Sequence, residues 1–279
     1  MEPIGKRTAA ERFTRIIWRI HRLVLVNLVC FVATLPVMAW FYLLLNTYLQ
    51  AGLPNGFPDI LPGPGLFCAP LLQLPPVIFY LLLAVSAVLT GPLLLGLHYI
   101  VGSMVMERHI WFSDFLEQAY KNARQGIILG LLSLAALHML LWNLLGGLHS
   151  DIPWIHMILT ASQWGSGLLL VLFLLVFPYA CQIAVSIEQS LWTVLKNALI
   201  LARVYLGRSL LALTTIAIYW WITSAVFPMV SLLTLPLLSV GLTAFIQATI
   251  CRPVVEKYIL RPARKRESLR GEEEALQDR

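Results

Sequence analysis

The sequence carries little charge, and long parts of it carry none. Asp, Glu, Lys and Arg make up 12% of the 279 residues, whereas hydrophobic residues make up 59%. A typical globular domain has about 25% charged residues, so this shortage excludes an ordinary soluble domain. Five long apolar stretches contain no charged residue at all: 23–45, 77–106, 126–148, 152–187 and 209–251.

Cysteine is scarce, and the common catalytic signatures are absent. The four cysteines show neither disulfide nor metal spacing, because three lie in or beside apolar stretches and Cys68 stands alone outside them. The chain lacks the paired histidines around a glutamate of a zinc protease, and it lacks a phosphate-binding glycine loop. We therefore predict that it is not an enzyme and has no catalytic, cofactor or metal site. Its basic residues are not interleaved with aromatics in a soluble module, so no nucleic-acid partner is predicted.

The apolar stretches predict an all-α fold, an integral membrane bundle with six transmembrane helices. A spanning helix needs about 20 mostly apolar residues, and the last stretch is long enough for two, with a turn predicted between Phe227 and Pro236. The membrane domain is predicted over residues 1–252, followed by a charged cytosolic tail at 253–279. The predicted spans are about 23–45, 77–105, 126–148, 154–187, 209–227 and 231–251.

The basic residues predict the orientation of these spans. All 20 Lys and Arg residues fall in the N-terminal segment, the second and fourth connections, and the part of the chain that follows the last predicted span at residue 251. Basic residues are enriched on the cytoplasmic side of membrane proteins. We therefore predict a multi-pass plasma-membrane protein, in contact with the lipid bilayer, whose two termini are both cytoplasmic.

Two of the inward connections are predicted to form amphipathic interface helices, because apolar residues recur there at helical spacing. Ser113 or Asp114 is expected to cap the first helix. Both helices contain Lys-Asn-Ala, at 121–123 and 196–198, and a third apolar face at 12–24 predicts an N-terminal interface helix that turns into the first span. Five polar residues of the two connections are candidates for docking a membrane or cytoplasmic protein partner: Asp114, Lys121, Asn122, Lys196 and Asn197.

Within the spans, the polar residues are few and uncharged. The main candidates are Asn27, His98, His138, Gln163 and Gln182. His98 and His138 lie in neighbouring spans, where they would form either a proton relay or ligand site, or an ordinary interhelical hydrogen bond. Trp142, Trp154 and Trp164 near Gln163 are typical either of a sugar pathway or of a membrane-interface aromatic belt.

Small residues predict one close contact between helices. Gly126 and Gly130 stand four residues apart at the start of the third span. This spacing lets two helix backbones approach closely. Within a single six-helix bundle, it predicts internal packing rather than dimerisation.

Three blocks of the chain resemble the YesL-like family of bacterial membrane proteins. They are RFTRIIWRIHRLVLVNLVCFVATLPVMA, GPLLLGLHYIVGSMVMERHIWFSDFLEQAYKNARQ and FPYACQIAVSIEQSLWTVLKNALILA. The resemblance rests on the order and spacing of the blocks, including Gly91-Pro92, Phe177-Pro178 and the two Lys-Asn pairs. It implies a polytopic plasma-membrane protein of unknown biochemical activity with a link to carbohydrate uptake.

Together these patterns favour a non-enzymatic accessory or scaffold component associated with carbohydrate uptake. Its partner would dock on the two Lys-Asn helices. The alternative is a small-solute, sugar-like transporter or permease. A polar cavity through the membrane would favour the transporter, and a closed bundle would favour the scaffold.

Overall fold

The computed structural model describes residues 9–52, 74–108, 110–145, 152–223 and 234–262, without the side chains of 9–19, 44–52, 145 and 235. These residues are almost entirely helical and include no strand, so the predicted all-α class is confirmed. The predicted turn at 227–236, most of the segment 50–76 and the tail from 263 lie outside them. The described helices are α1 (Ala9–Gly52), α2 (Pro76–Val105), α3 (Phe112–Lys121), α4 (Ala123–Leu145), α5 (Pro153–Ala184), α6 (Leu191–Val204), α7 (Leu206–Trp221) and α8 (Val240–Val255).

The helices identify a multi-pass membrane protein. Five helical segments are long and apolar enough to cross a membrane, namely Ile20–Leu43, Pro76–Val105, Ala123–Leu144, Pro153–Ala184 and Pro236–Leu260. α6 and α7 meet at an angle of 91° and form a sixth candidate when taken together. α1 is one continuous helix, so the break predicted between an N-terminal interface helix and the first span is absent.

α2 lies at the centre of the bundle, where it contacts α1, α3, α4, α5 and α8. Its closest contact is with α4, because glycines face each other there. A methyl group added at Gly91 would lie 1.9 Å from the carbonyl oxygen of Gly126, and one added at Gly130 would lie 2.6 Å from the Cα of Gly91. Gly126 and Gly130 therefore pack inside the bundle, as predicted.

The two predicted interface helices, α3 and α6, lie at the same end of the bundle, which we call the basic end. Each buries one face: Phe115 and Ala119 of α3 and Val194 and Ala198 of α6 are buried. The start of α3 differs from the prediction, since its N-cap is Trp111. Within the first turn, the Asp114 carboxylate accepts a hydrogen bond from the Trp111 N–H at 2.7 Å. This bond stabilises the start of the helix.

The last helix extends beyond the predicted boundary at residue 252. π-helical turns at Leu235–Ser239 and Glu256–Leu260 flank α8. Prolines at 236 and 253 lack the N–H that a regular α-helix requires. The helix continues past 252 because Val254, Val255 and Leu260 are buried in the core around Tyr179.

This extension corrects one conclusion drawn from the sequence. The uncharged stretch ends before Arg252, so the spans were expected to hold no charged residue. The candidate span Pro236–Leu260 nevertheless includes Arg252 and Glu256, and each is only 6% exposed. An arginine and a glutamate are therefore part of the bundle interior.

Candidate functional site

Four buried or partly buried side chains form a hydrogen-bonded group near the basic end, which we call the polar cluster: His98 on α2, Gln182 and Ser186 at the end of α5, and Arg252 on α8. Gln182 is 0% exposed and is its centre. Its Nε2 donates to the His98 carbonyl oxygen at 3.1 Å and lies 3.3 Å from His98 Nδ1. Its Oε1 accepts from Arg252 Nη1 at 3.3 Å.

Ser186 completes the polar cluster. Its hydroxyl donates to the Gln182 carbonyl oxygen at 2.5 Å and accepts a hydrogen bond from Arg252 Nη1. Space for these groups comes from Gly102 on α2, because a methyl group there would lie 2.8 Å from Gln182 Oε1. The cluster therefore joins three helices through one amide and one guanidinium.

Of the cluster, the sequence patterns predict His98 and Gln182 as site residues but place Arg252 just beyond the last span. The buried Glu256 was missed in the same way. A usable signal was present, since Arg252 and Glu256 stand four residues apart and so share one helix face. That face also carries the buried Val255, which marks it as facing the bundle.

His138 is not part of the cluster, so the predicted approach of His98 and His138 is wrong. His98 lies seven residues from Gly91 toward the basic end, whereas His138 lies eight residues from Gly130 in the opposite direction. At 1.5 Å per residue the two histidines are separated by about 22 Å along the helix axes. His138 instead accepts from Trp40 Nε1 at 3.4 Å, and the two rings stack at 6.0 Å.

Asn27 has a different role, because its side chain hydrogen-bonds the first helix to the last. It is 0% exposed. Its Nδ2 donates to the Pro236 carbonyl oxygen at 2.6 Å, and its Oδ1 accepts the Gly241 N–H at 2.6 Å. The Asn27 amide therefore bonds a backbone carbonyl in the π-helical turn and a backbone N–H at the start of α8.

Replacing Asn27 with leucine is expected to lower the free energy of unfolding by about 1–3 kcal/mol, because two interhelical bonds of about 0.6–1.7 kcal/mol each are lost. Thr34→Val is the matched control. The Thr34 hydroxyl donates to Cys30 O at 2.7 Å within its own helix, so its loss should cost less. Chemical unfolding of both variants in detergent measures the difference, and equal losses would contradict the role given to Asn27.

Gln163 and the nearby tryptophans do not gather around the polar cluster. Gln163 is partly buried on α5, and the interhelical hydrogen bonds beside it belong to Asn143, Ser162 and Ser166. The indoles of Trp142, Trp154 and Trp164 are exposed on the bundle surface. This exposure matches the aromatic belt rather than the lining of a sugar pathway.

Two of the predicted docking residues, Lys121 and Asn197, contact the same short segment before α6. Lys121 Nζ forms an ion pair with Glu188 Oε1 at 3.1 Å. On α6, Asn197 donates to Gln189 Oε1 at 3.4 Å, and Gln125 of α4 donates to the Gln189 carbonyl oxygen at 2.7 Å. The segment before α6 therefore links the two helices into one surface.

The other predicted docking residues have local roles or are open to solvent. The Asn122 side-chain amide donates to the Gln118 carbonyl oxygen at 3.0 Å and so caps the C-terminus of α3. Asp114 stabilises the start of α3 and is not part of the linked surface. Lys196 is exposed, and two large aromatic residues of this end, Tyr120 and Trp192, are 84% and 77% exposed.

The polar cluster does not line either of two cavities formed by the described residues. One, of about 450 Å³, lies between α1, α2 and α4 and is lined by His138, Trp40, Phe41 and other apolar side chains. The other, of about 470 Å³, lies at the basic end beside the bend between α6 and α7. The polar cluster is thus bonded to itself rather than open to a channel formed by these cavities.

In comparisons with known proteins, no family model matches the chain, and no curated protein or solved structure is found to be similar. The resemblance to the YesL-like family stays a prediction. Among the described residues, no three His, Cys, Asp or Glu side chains are grouped closely enough to hold a metal ion. The linked surface at the basic end and the polar cluster are therefore the two candidate sites.

Proposed function

We propose that the protein is a non-enzymatic membrane component that binds an acidic protein partner through its basic end. The observation that carries this proposal is the linkage of the two Lys-Asn segments by the Lys121–Glu188 ion pair and the Gln125–Gln189 hydrogen bond. Exposed tyrosine and tryptophan dominate many protein interfaces. Tyr120 and Trp192 are exposed aromatic residues of this kind, and they lie on the same helices as the lysines.

The basic end faces the cytoplasm in this proposal, and both termini lie there. The one-sided distribution of the 20 basic residues supports that orientation. The resemblance to the YesL-like family supports a place in the bacterial plasma membrane and an accessory role in carbohydrate uptake. Such a link is an association between proteins and does not specify a mechanism.

The polar cluster favours a second candidate, a transporter of small sugar-like solutes. Ionisable groups inside a membrane bundle are costly and are usually retained for a function. Arg252 and Gln182 supply the kinds of donor and acceptor that sugar hydroxyl groups bind. Their mutual hydrogen bond and their absence from both cavities make this the weaker candidate.

Charge reversal at Lys121 and Lys196 tests the docking surface. The double variant Lys121→Glu, Lys196→Glu is expected to reduce crosslinking to an acidic partner in membranes about tenfold, a loss of about 1.4 kcal/mol. Lys121→Glu with Glu188→Lys is the control, because it restores the ion pair and keeps the net charge. Unchanged crosslinking by the Lys121, Lys196 variant would exclude this surface.

Uptake by the purified protein separates the two candidates. Proteoliposomes containing the protein alone are expected to take up a panel of radiolabelled sugars no faster than empty liposomes. Uptake that disappears on Gln182→Ala would instead establish the transporter and overturn the accessory role.

A further inference from the structure

The cavity beside the bend between α6 and α7, which we call the bend groove, has an aliphatic floor and a polar mouth. The floor is formed by Ile187, Ile200, Leu201, Val204 and Ile259. Its volume of about 470 Å³ is within the range of small-molecule sites, about 300–1,000 Å³. The groove can therefore hold an apolar chain together with part of a polar group.

Two tyrosines line the groove, and a cation lies over the ring of each. The rings of Tyr205 and Tyr258 lie 5.6 Å apart. The Arg208 guanidinium lies 5.5 Å from the Tyr205 ring, and the Lys257 ammonium lies 5.1 Å from the Tyr258 ring. Both cations are exposed, so they can contact a ligand while resting on the aromatic faces.

Two nearby acidic residues, Glu188 and Glu256, do not face the mouth of the groove and so do not neutralise its charge. Glu188 forms its ion pair with Lys121, and Glu256 is buried in the bundle. Arg203 and Arg261, on the adjoining turns, are also exposed. The mouth of the groove therefore complements a negative charge.

The bend favours a position for the groove at the membrane interface. α6 is amphipathic and turns through 91° into α7, as expected where one helix lies along the interface and the next enters the apolar layer. Basic pockets between helices at this depth bind anionic lipid headgroups.

We propose that the bend groove binds an anionic glycerophospholipid. Its phosphate lies between Arg208 and Lys257, where a tyrosine hydroxyl can donate to it, and one acyl chain lies along the aliphatic floor. The groove adjoins the proposed docking surface, because Gln189 and Asn197 also line it. The two cations assigned to the phosphate are distinct from Lys121 and Lys196, so the two proposals can be tested separately.

Binding of matched lipids to the delipidated full-length protein in detergent tests the site. Phosphatidylglycerol is expected to bind more tightly than phosphatidylcholine with the same acyl chains. Arg208→Ala with Lys257→Ala should weaken phosphatidylglycerol binding about 25-fold, since each cation near an anionic headgroup contributes a factor of about five. Arg108→Ala with Arg124→Ala is the control, because it removes two exposed cations outside the groove and should leave binding unchanged.

Two further arms separate the lipid from other occupants. Val204→Gln, at a 65% exposed position, should weaken the binding of long-chain more than of short-chain phosphatidylglycerol. Tyr205→Phe with Tyr258→Phe removes the hydroxyl groups but keeps both rings, and it should weaken the binding of both. Full competition by inorganic phosphate would show a simple anion site and overturn the lipid assignment. Equal binding of the two lipids by the wild type, or equal losses in the groove and control variants, would also overturn it.

Discussion

Replacing Gly91 with alanine is expected to destabilise the bundle by at least about 3 kcal/mol, the upper part of the range for overpacking. The added methyl group would lie 1.9 Å from the Gly126 carbonyl oxygen. Because the obstructing atom belongs to the backbone, no side-chain rotation relieves the clash, and α2 and α4 must separate. The melting temperature in detergent measures the loss.

Gly165→Ala provides a control of opposite sign. Gly165 lies within α5, and a methyl group there would meet nothing within 4 Å. Alanine favours a helix over glycine by about 0.8–1.0 kcal/mol, so this variant should be as stable as the wild type or more stable. Equal shifts for the Gly91 and Gly165 variants would show that α2 and α4 do not meet at these glycines.

Replacing Gln182 with leucine is expected to lower the free energy of unfolding by about 3 kcal/mol. Arg252 loses an uncharged acceptor inside the bundle, and the His98 carbonyl oxygen loses its donor. Hydrogen bonds to charged groups contribute about 1.5–3 kcal/mol, and a buried group left unsatisfied costs more than the bond itself.

A double-mutant cycle isolates the Gln182–Arg252 contact. Apolar replacement of both members of a buried polar pair is often much less harmful than loss of one. Gln182→Leu with Arg252→Met should therefore be more stable than the sum of the two single effects predicts, by about 2 kcal/mol. Simple additivity in chemical unfolding would contradict direct coupling.

Local periodicity was enough to predict much of the fold. The uncharged stretches located the spanning helices, and the apolar spacing around Phe115 and Val194 located both interface helices. The glycine spacing at 126 and 130 correctly indicated internal packing. These features depend on residues within a few turns of one another, so a single sequence contains them.

The contents of the polar cluster depended on contacts that local patterns do not describe. The sequence places Arg252 just beyond the last span because charge normally marks a boundary, but its guanidinium has acceptors at Gln182 and Ser186. The pairing of His98 with His138 required the axial register of α2 and α4, which the contact at Gly91 sets. Span prediction alone gives no such register.

The Asn27 contact also affects the order in which the helices can assemble during synthesis. Its partners, Pro236 and Gly241, lie 209 and 214 residues later in the chain. At a synthesis rate of about 5–20 residues per second, about 10–40 s separate the appearance of the amide from that of its partners. The α2–α4 contact needs far less of the chain. During biogenesis the contacts of α2 with α1 and α4 can form early, whereas the Asn27 bonds form only after the last helix has been made.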